Sequence, residues 1–126
     1  MVSAATTLRI QVVSRQINKL TLQQTLLSQK HQSITSTSSE IGRAYQKLYY
    51  QANGLYGTVS AQEEDALTGK IEQILPVMYE INDAENKIEI EEKQIETQLQ
   101  ALTKELESLK ELQINEAKNG APKLCM

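Results

Sequence analysis

Two runs of apolar residues, each stepping by seven, constrain this chain more than any other feature. The first is Val13, Leu20, Leu27, Ile34, Ile41, Leu48 and Leu55; the second is Leu67, Ile74, Ile81, Ile88, Ile95, Leu102 and Leu109. A seven-residue apolar repeat keeps one stripe of an α-helix facing the same neighbour, because 3.5 residues per turn return every seventh side chain to the same side. Six steps of seven span about 63 Å of helix at a rise of 1.5 Å per residue. The runs match in length and only Tyr56 to Ala66 separates them. The predicted fold is therefore all-α: a long antiparallel two-helix coiled-coil hairpin, with a helix over about 3–56, a turn over about 57–60, a second helix over about 61–118 and a flexible tail over 119–126.

Composition agrees with long helices. The 126 residues include five Tyr but no Phe or Trp, and only two Pro and five Gly. Such a chain has room for one domain, and it lacks the large aromatics on which globular cores depend. The N-terminal Met1-Val2-Ser3-Ala4-Ala5 has neither a basic start nor an apolar core, so no cleaved signal peptide is expected. No apolar stretch approaches the length of a membrane span. Cys125 is the single cysteine, which excludes an internal disulfide.

The net charge of −3 conceals an asymmetry. Residues 1–62 carry six Lys or Arg against one acid, Glu40, whereas residues 63–126 carry seven Lys against fifteen acids. Opposite charge on the two halves favours their association, within one hairpin or between copies. Nucleic acid is not expected as a partner, because the cations of the first half are sparse and the second half repels phosphate.

Several local signals place the ends of the helices. Gly54 and Gly57 are stop signals for the first. Ser60 followed by Glu63 is a capping-box pattern, and Glu63, Glu64 and Asp65 suit the positive end of the second helix dipole. Between Ser28 and Glu40, seven of thirteen residues are Ser or Thr. Their side chains compete for backbone hydrogen bonds, so this stretch is either weakly packed continuous helix or a break near 33–40. Pro76 falls on the outward side of the second helix, where it either bends the helix or starts a new one. Gly120 and Pro122 are expected to end it.

Pairing about a turn near 58–60 makes facing residue numbers sum to about 119. The expected hairpin seam comprises Val13, Leu20, Leu27, Ile41, Leu48, Ile74, Ile81, Ile88, Ile95, Leu102 and Leu109. Both ends then read as dry and apolar, with Ile10 against Leu109 and Ala52 against Leu67. The middle is polar: Gln24, His31 and Ser38 face Glu85 and Glu92, with His31 within about a turn of Glu92. This reads as a partly hydrated seam, with a pH-sensitive contact as the sharper alternative.

A single seam leaves many apolar residues outside it: Leu8, Val12, Leu22, Leu26, Tyr49, Tyr50, Leu75, Val77, Ile90, Leu112 and Ile114. On a chain with so little interior, this many points to a second contact face. The tyrosines gather toward the turn, with Tyr79 folding back near Tyr45. The candidate assembly interface is Leu22, Leu26, Tyr49, Tyr50, Tyr56, Tyr79 and Ile90. No spacing of His, Cys, Asp and Glu builds a metal site, no glycine-rich loop cradles phosphate, and Glu91 and Glu92 point different ways on a helix. Catalysis, cofactors and metals are not expected.

The uncleaved amphipathic start Ser3-Ala4-Ala5, the run Gln23-Gln24-Thr25-Leu26-Leu27-Ser28-Gln29, the polar Ser33–Ser39 segment and the returning terminal helix resemble the small helical-hairpin subunits of flagellar-type and type III secretion filaments. The strongly acidic second helix and the Gly-Ala-Pro-Lys-Leu-Cys-Met tail depart from that pattern. The resemblance implies export without a cleaved signal, an extracellular location, and head-to-tail helical assembly. Prefoldin-like chaperones also have two long helices, but Leu55 to Ser60 is too short for the β-hairpin they place between them. The expectation is a structural subunit whose partner is itself, in a homo-oligomer or filament. The alternative is a cytoplasmic coiled-coil adaptor or secretion chaperone that binds another helical protein.

Overall fold

The computed structural model describes residues 3–124. It is an all-α hairpin of two long helices packed against each other: α1 (Ala4–Ala52, 49 residues) and α2 (Ala61–Leu124, 64 residues). The chain forms two compact units, each containing a segment of both helices.

Each helix start is fixed by a serine. Ser3 caps α1, its Oγ accepting from the Thr6 N–H at 3.4 Å. Ser60 caps α2, its Oγ accepting from the Glu63 N–H at 3.2 Å. Each serine satisfies a backbone donor that has no partner within the helix. At the other end of α1, Gly54 takes the left-handed conformation, with φ of 74°. The Leu55 N–H then reaches the Tyr50 carbonyl at 3.0 Å and the Gly54 N–H reaches Gln51 at 3.1 Å. This bond pair is the Schellman termination. It ends α1 at Ala52, four residues before the expected limit, so that Leu55, the last member of the first seven-residue run, lies in the turn and is 66% exposed.

The Ser/Thr-rich stretch does not break α1, which is continuous from Ala4 to Ala52. Thr37 Oγ1 donates to the Ser33 carbonyl at 3.0 Å, and Thr21 and Thr25 make the same bond four residues back. The hydroxyls thus bond to carbonyls that remain in the helical ladder, and helix is retained. Pro76 is exposed within the continuous α2 and starts no new helix there. α2 also passes the expected stop at 118 and runs to Leu124. Residues 119–124 are therefore helical rather than tail. Cys125 lies outside the described residues.

The first unit consists of Met1–Leu27 with Glu91–Met126. Its α1 seam is Thr6, Ile10, Val13, Ile17, Leu20 and Leu27; across it stand Ile95, Leu99, Leu102, Leu106, Leu109 and Glu116. Val13 is completely buried, Thr6 is buried, and the others are half-buried. The 3–4 spacing along both helices is the knobs-into-holes repeat. Burial on the scale of Val13 contributes about 1.5–3 kcal/mol per side chain.

The second unit is Ser28–Ile90, which includes the turn. Its seam runs through His31, Ile34, Ser38, Ile41, Tyr45, Leu48 and Ala52 on α1, and Leu67, Ile71, Ile74, Met78, Ile81, Glu85 and Ile88 on α2. Ile88 is buried and the rest are half-buried. Of the polar positions expected in the seam, His31, Ser38, Glu85 and Glu92 are half-buried, but Gln24 is exposed. A long amide side chain reaches water from a seam position, where its donors and acceptor are satisfied without a buried partner.

Candidate assembly surfaces

In the first unit, Leu8, Leu22 and Leu26 stand on the side of α1 away from the seam, 62%, 61% and 56% exposed. Val12, half-buried, shares that side. Leu8 and Val12 are four residues apart, as are Leu22 and Leu26, and four-residue spacing stacks side chains on one helical face. The second pair repeats the first after fourteen residues, about 21 Å along the helix. Arg15 and Lys19 continue the same stripe between the pairs and are exposed.

The open end of this unit is not the dry, apolar end that the pattern predicts. The Glu116 carboxylate accepts from the Ser3 N–H at 2.7 Å through Oε2 and from Thr6 Oγ1 at 3.0 Å through Oε1. Arg9 is paired with a different acid of α2: its Nε donates to Glu105 Oε1 at 2.8 Å, and its Nη2 lies 2.6 Å from the same oxygen. The residue numbers of Ser3–Glu116, Thr6–Glu116 and Arg9–Glu105 sum to 119, 122 and 114, on either side of the expected register. The signal available in the sequence was polar Thr6 and Glu116 continuing the seven-residue runs past their apolar members. A polar residue at a seam position calls for a partner across the seam.

In the second unit, four tyrosines form a chain of ring contacts. Tyr45 stacks on Tyr49 with centroids 6.2 Å apart; Tyr49 meets Tyr50 edge-on at 6.2 Å, and Tyr50 meets Tyr56 edge-on at 6.5 Å. Offset and edge-to-face pairs at these distances are the favoured aromatic arrangements. Tyr49 and Tyr56 are exposed, but Tyr50 is half-buried and accepts a hydrogen bond from Gln46 Nε2 at 3.3 Å. Tyr50 thus supports its neighbours more than it offers a free surface. Tyr79 is exposed on α2 and joins no ring contact among the described residues. Ile90 is exposed two residues from buried Ile88, as helical geometry requires of a residue turned away from the seam. Beside Tyr56, an open recess of about 430 Å³ is lined by Val59, Ala66 and Leu67 together with Gln51, Glu63 and Lys70.

Leu22 and Leu26 belong to the first unit, and Tyr49, Tyr50, Tyr56, Tyr79 and Ile90 to the second. Among the described residues no group of three or more His, Cys, Asp and Glu is placed to hold a metal ion, and no helix is long and apolar enough to cross a membrane. Comparison with protein-family models, curated proteins and solved structures finds no match to this chain.

Proposed function

We propose that this protein is a structural subunit that assembles with copies of itself through its outward-facing apolar residues. One observation carries the reading: large apolar side chains are exposed on both helices, while among the described residues the buried apolar side chains are Val13 and Ile88. Exposed single apolars are ordinary. A pair of exposed leucines four residues apart, with a second pair on the same stripe, is a surface that association would remove from water. The basic first half and acidic second half add attraction between copies.

The experiment is negative-stain electron microscopy of the purified protein over a concentration series, with light scattering alongside. Filaments or regular rings, lost when Leu22 and Leu26 are both replaced by Ser while helical circular dichroism persists, are the expected result. A uniform small particle at every concentration overturns the reading in favour of an adaptor that presents these faces to a different protein.

A further inference from the structure

Two surfaces described above differ in charge as well as in place. The outer α1 stripe from Leu8 to Leu26 carries Arg15 and Lys19 and no acid, a sum of +2; Arg9 is turned to Glu105 of α2 instead. The turn end, from Tyr49 to Glu72, carries Glu63, Glu64, Asp65 and Glu72 against Lys70, a sum of −3. Both surfaces are apolar where they are most exposed: Leu8, Leu22 and Leu26 on the first, Tyr49, Leu55 and Tyr56 on the second. The shapes also differ, since the stripe is made of protruding leucines and the turn end contains the open recess over Val59, Ala66 and Leu67.

We propose, on the basis of the self-assembly reading, that the turn end of one copy docks onto the outer α1 stripe of a second copy, with Leu22 or Leu26 entering the recess beside Tyr56. Stripe against stripe would set +2 against +2, and turn end against turn end −3 against −3. Like charges held together across an interface repel, whereas the crossed arrangement is attractive. Leucine in the recess removes apolar surface from water on both partners, and Arg15 and Lys19 on the stripe then face the exposed Glu63, Glu64 and Asp65. Such a contact uses a different surface on each partner. Every copy keeps one surface free, and growth continues unless rotation closes a ring.

The test uses two variants of the full chain. The first, Leu22→Ser with Leu26→Ser, loses the stripe and keeps the turn end. The second, Tyr56→Ser with Glu64→Lys and Asp65→Lys, loses the turn end and keeps the stripe; it leaves the Ser60 and Glu63 cap in place. Circular dichroism verifies that both fold, and sedimentation velocity reads their assembly. Each alone is expected to be monomeric, and an equimolar mixture is expected to give a one-to-one heterodimer that grows no further. A second chain combines Arg15→Glu and Lys19→Glu with Glu64→Lys and Asp65→Lys, and is expected to regain the assembly that either charge reversal alone abolishes. Assembly of the turn-end variant by itself, or a mixture that stays monomeric, overturns the docking mode while self-assembly stands. A wild-type chain that never assembles overturns both.

Discussion

Thr6 and Glu116 lie 110 positions apart in sequence and meet at the open end of the hairpin, where the buried Thr6 hydroxyl donates to Glu116 Oε1 at 3.0 Å. The other carboxylate oxygen takes the Ser3 N–H at 2.7 Å. One side chain of α2 therefore secures both the capping residue and the first turn of α1. A heptad seam alone permits slippage by whole repeats, and a polar pair at one seam position selects among such registers.

Replacing Glu116 by Ala leaves the Thr6 hydroxyl buried without this acceptor and frees the Ser3 N–H. The expected loss is about 1–3 kcal/mol, the cost of orphaning a buried polar group, measured by urea unfolding. Glu116→Gln, which keeps an acceptor oxygen, is expected to lose less. In hydrogen exchange the first turns of α1 are expected to lose protection in Glu116→Ala before the seam around Val13 does.

Gly54 is the residue on which the end of α1 depends. Its φ is 74°, and a Cβ at that position would lie 3.3 Å from the Gly57 carbonyl oxygen. Gly54→Ala is expected to destabilise the hairpin by about 1–2 kcal/mol through the left-handed conformation alone, read as a lower midpoint in thermal unfolding.

Gly42 and Gly69 predict the opposite sign. Both lie inside helices, and a Cβ on either meets nothing within 4 Å. Alanine at each is expected to stabilise by about 0.5–1 kcal/mol, since it reduces the freedom of the unfolded chain and strains nothing. The two sites are independent in this account, so the double variant is expected to show the sum. A fall in unfolding midpoint for either single variant would show that its helix is not packed as described.

Core and surface contacts are expected to separate widely. Ile88→Ala removes a buried branched side chain, and the expected cost is about 2–5 kcal/mol. Arg9→Ala removes an ion pair whose partners are both substantially exposed, and is expected to cost no more than about 1 kcal/mol. Urea unfolding of the two variants, compared at equal slope, checks the ranking.

The seam residues were readable because a seven-residue repeat has one geometrical consequence. Every rung from Val13 to Leu48, and from Leu67 to Leu109, is buried or half-buried. Leu55 fits the spacing equally well yet stands in the turn, because Gly54 ends the helix first and periodicity does not register where a helix stops. Tyr50 and Tyr79 could not be sorted by pattern either. Whether a tyrosine off the seam is covered depends on which rings reach it, and the contacts with Tyr49 and Tyr56 half-cover Tyr50 while Tyr79 remains exposed.

By itself the sequence determined that two helices form, which stripe of each turns inward, and where α2 begins at its serine cap. These follow from interactions among residues a few positions apart, and such neighbours are fixed once the helix is assumed. Tertiary structure decided that Thr6 and Ser3 close on Glu116, that the Ser/Thr-rich stretch stays helical, and which tyrosines near the turn reach one another's rings. Those outcomes depend on contacts between distant segments or on the balance between packing and local preference. A sequence period gives the direction of a side chain and leaves open what it meets there.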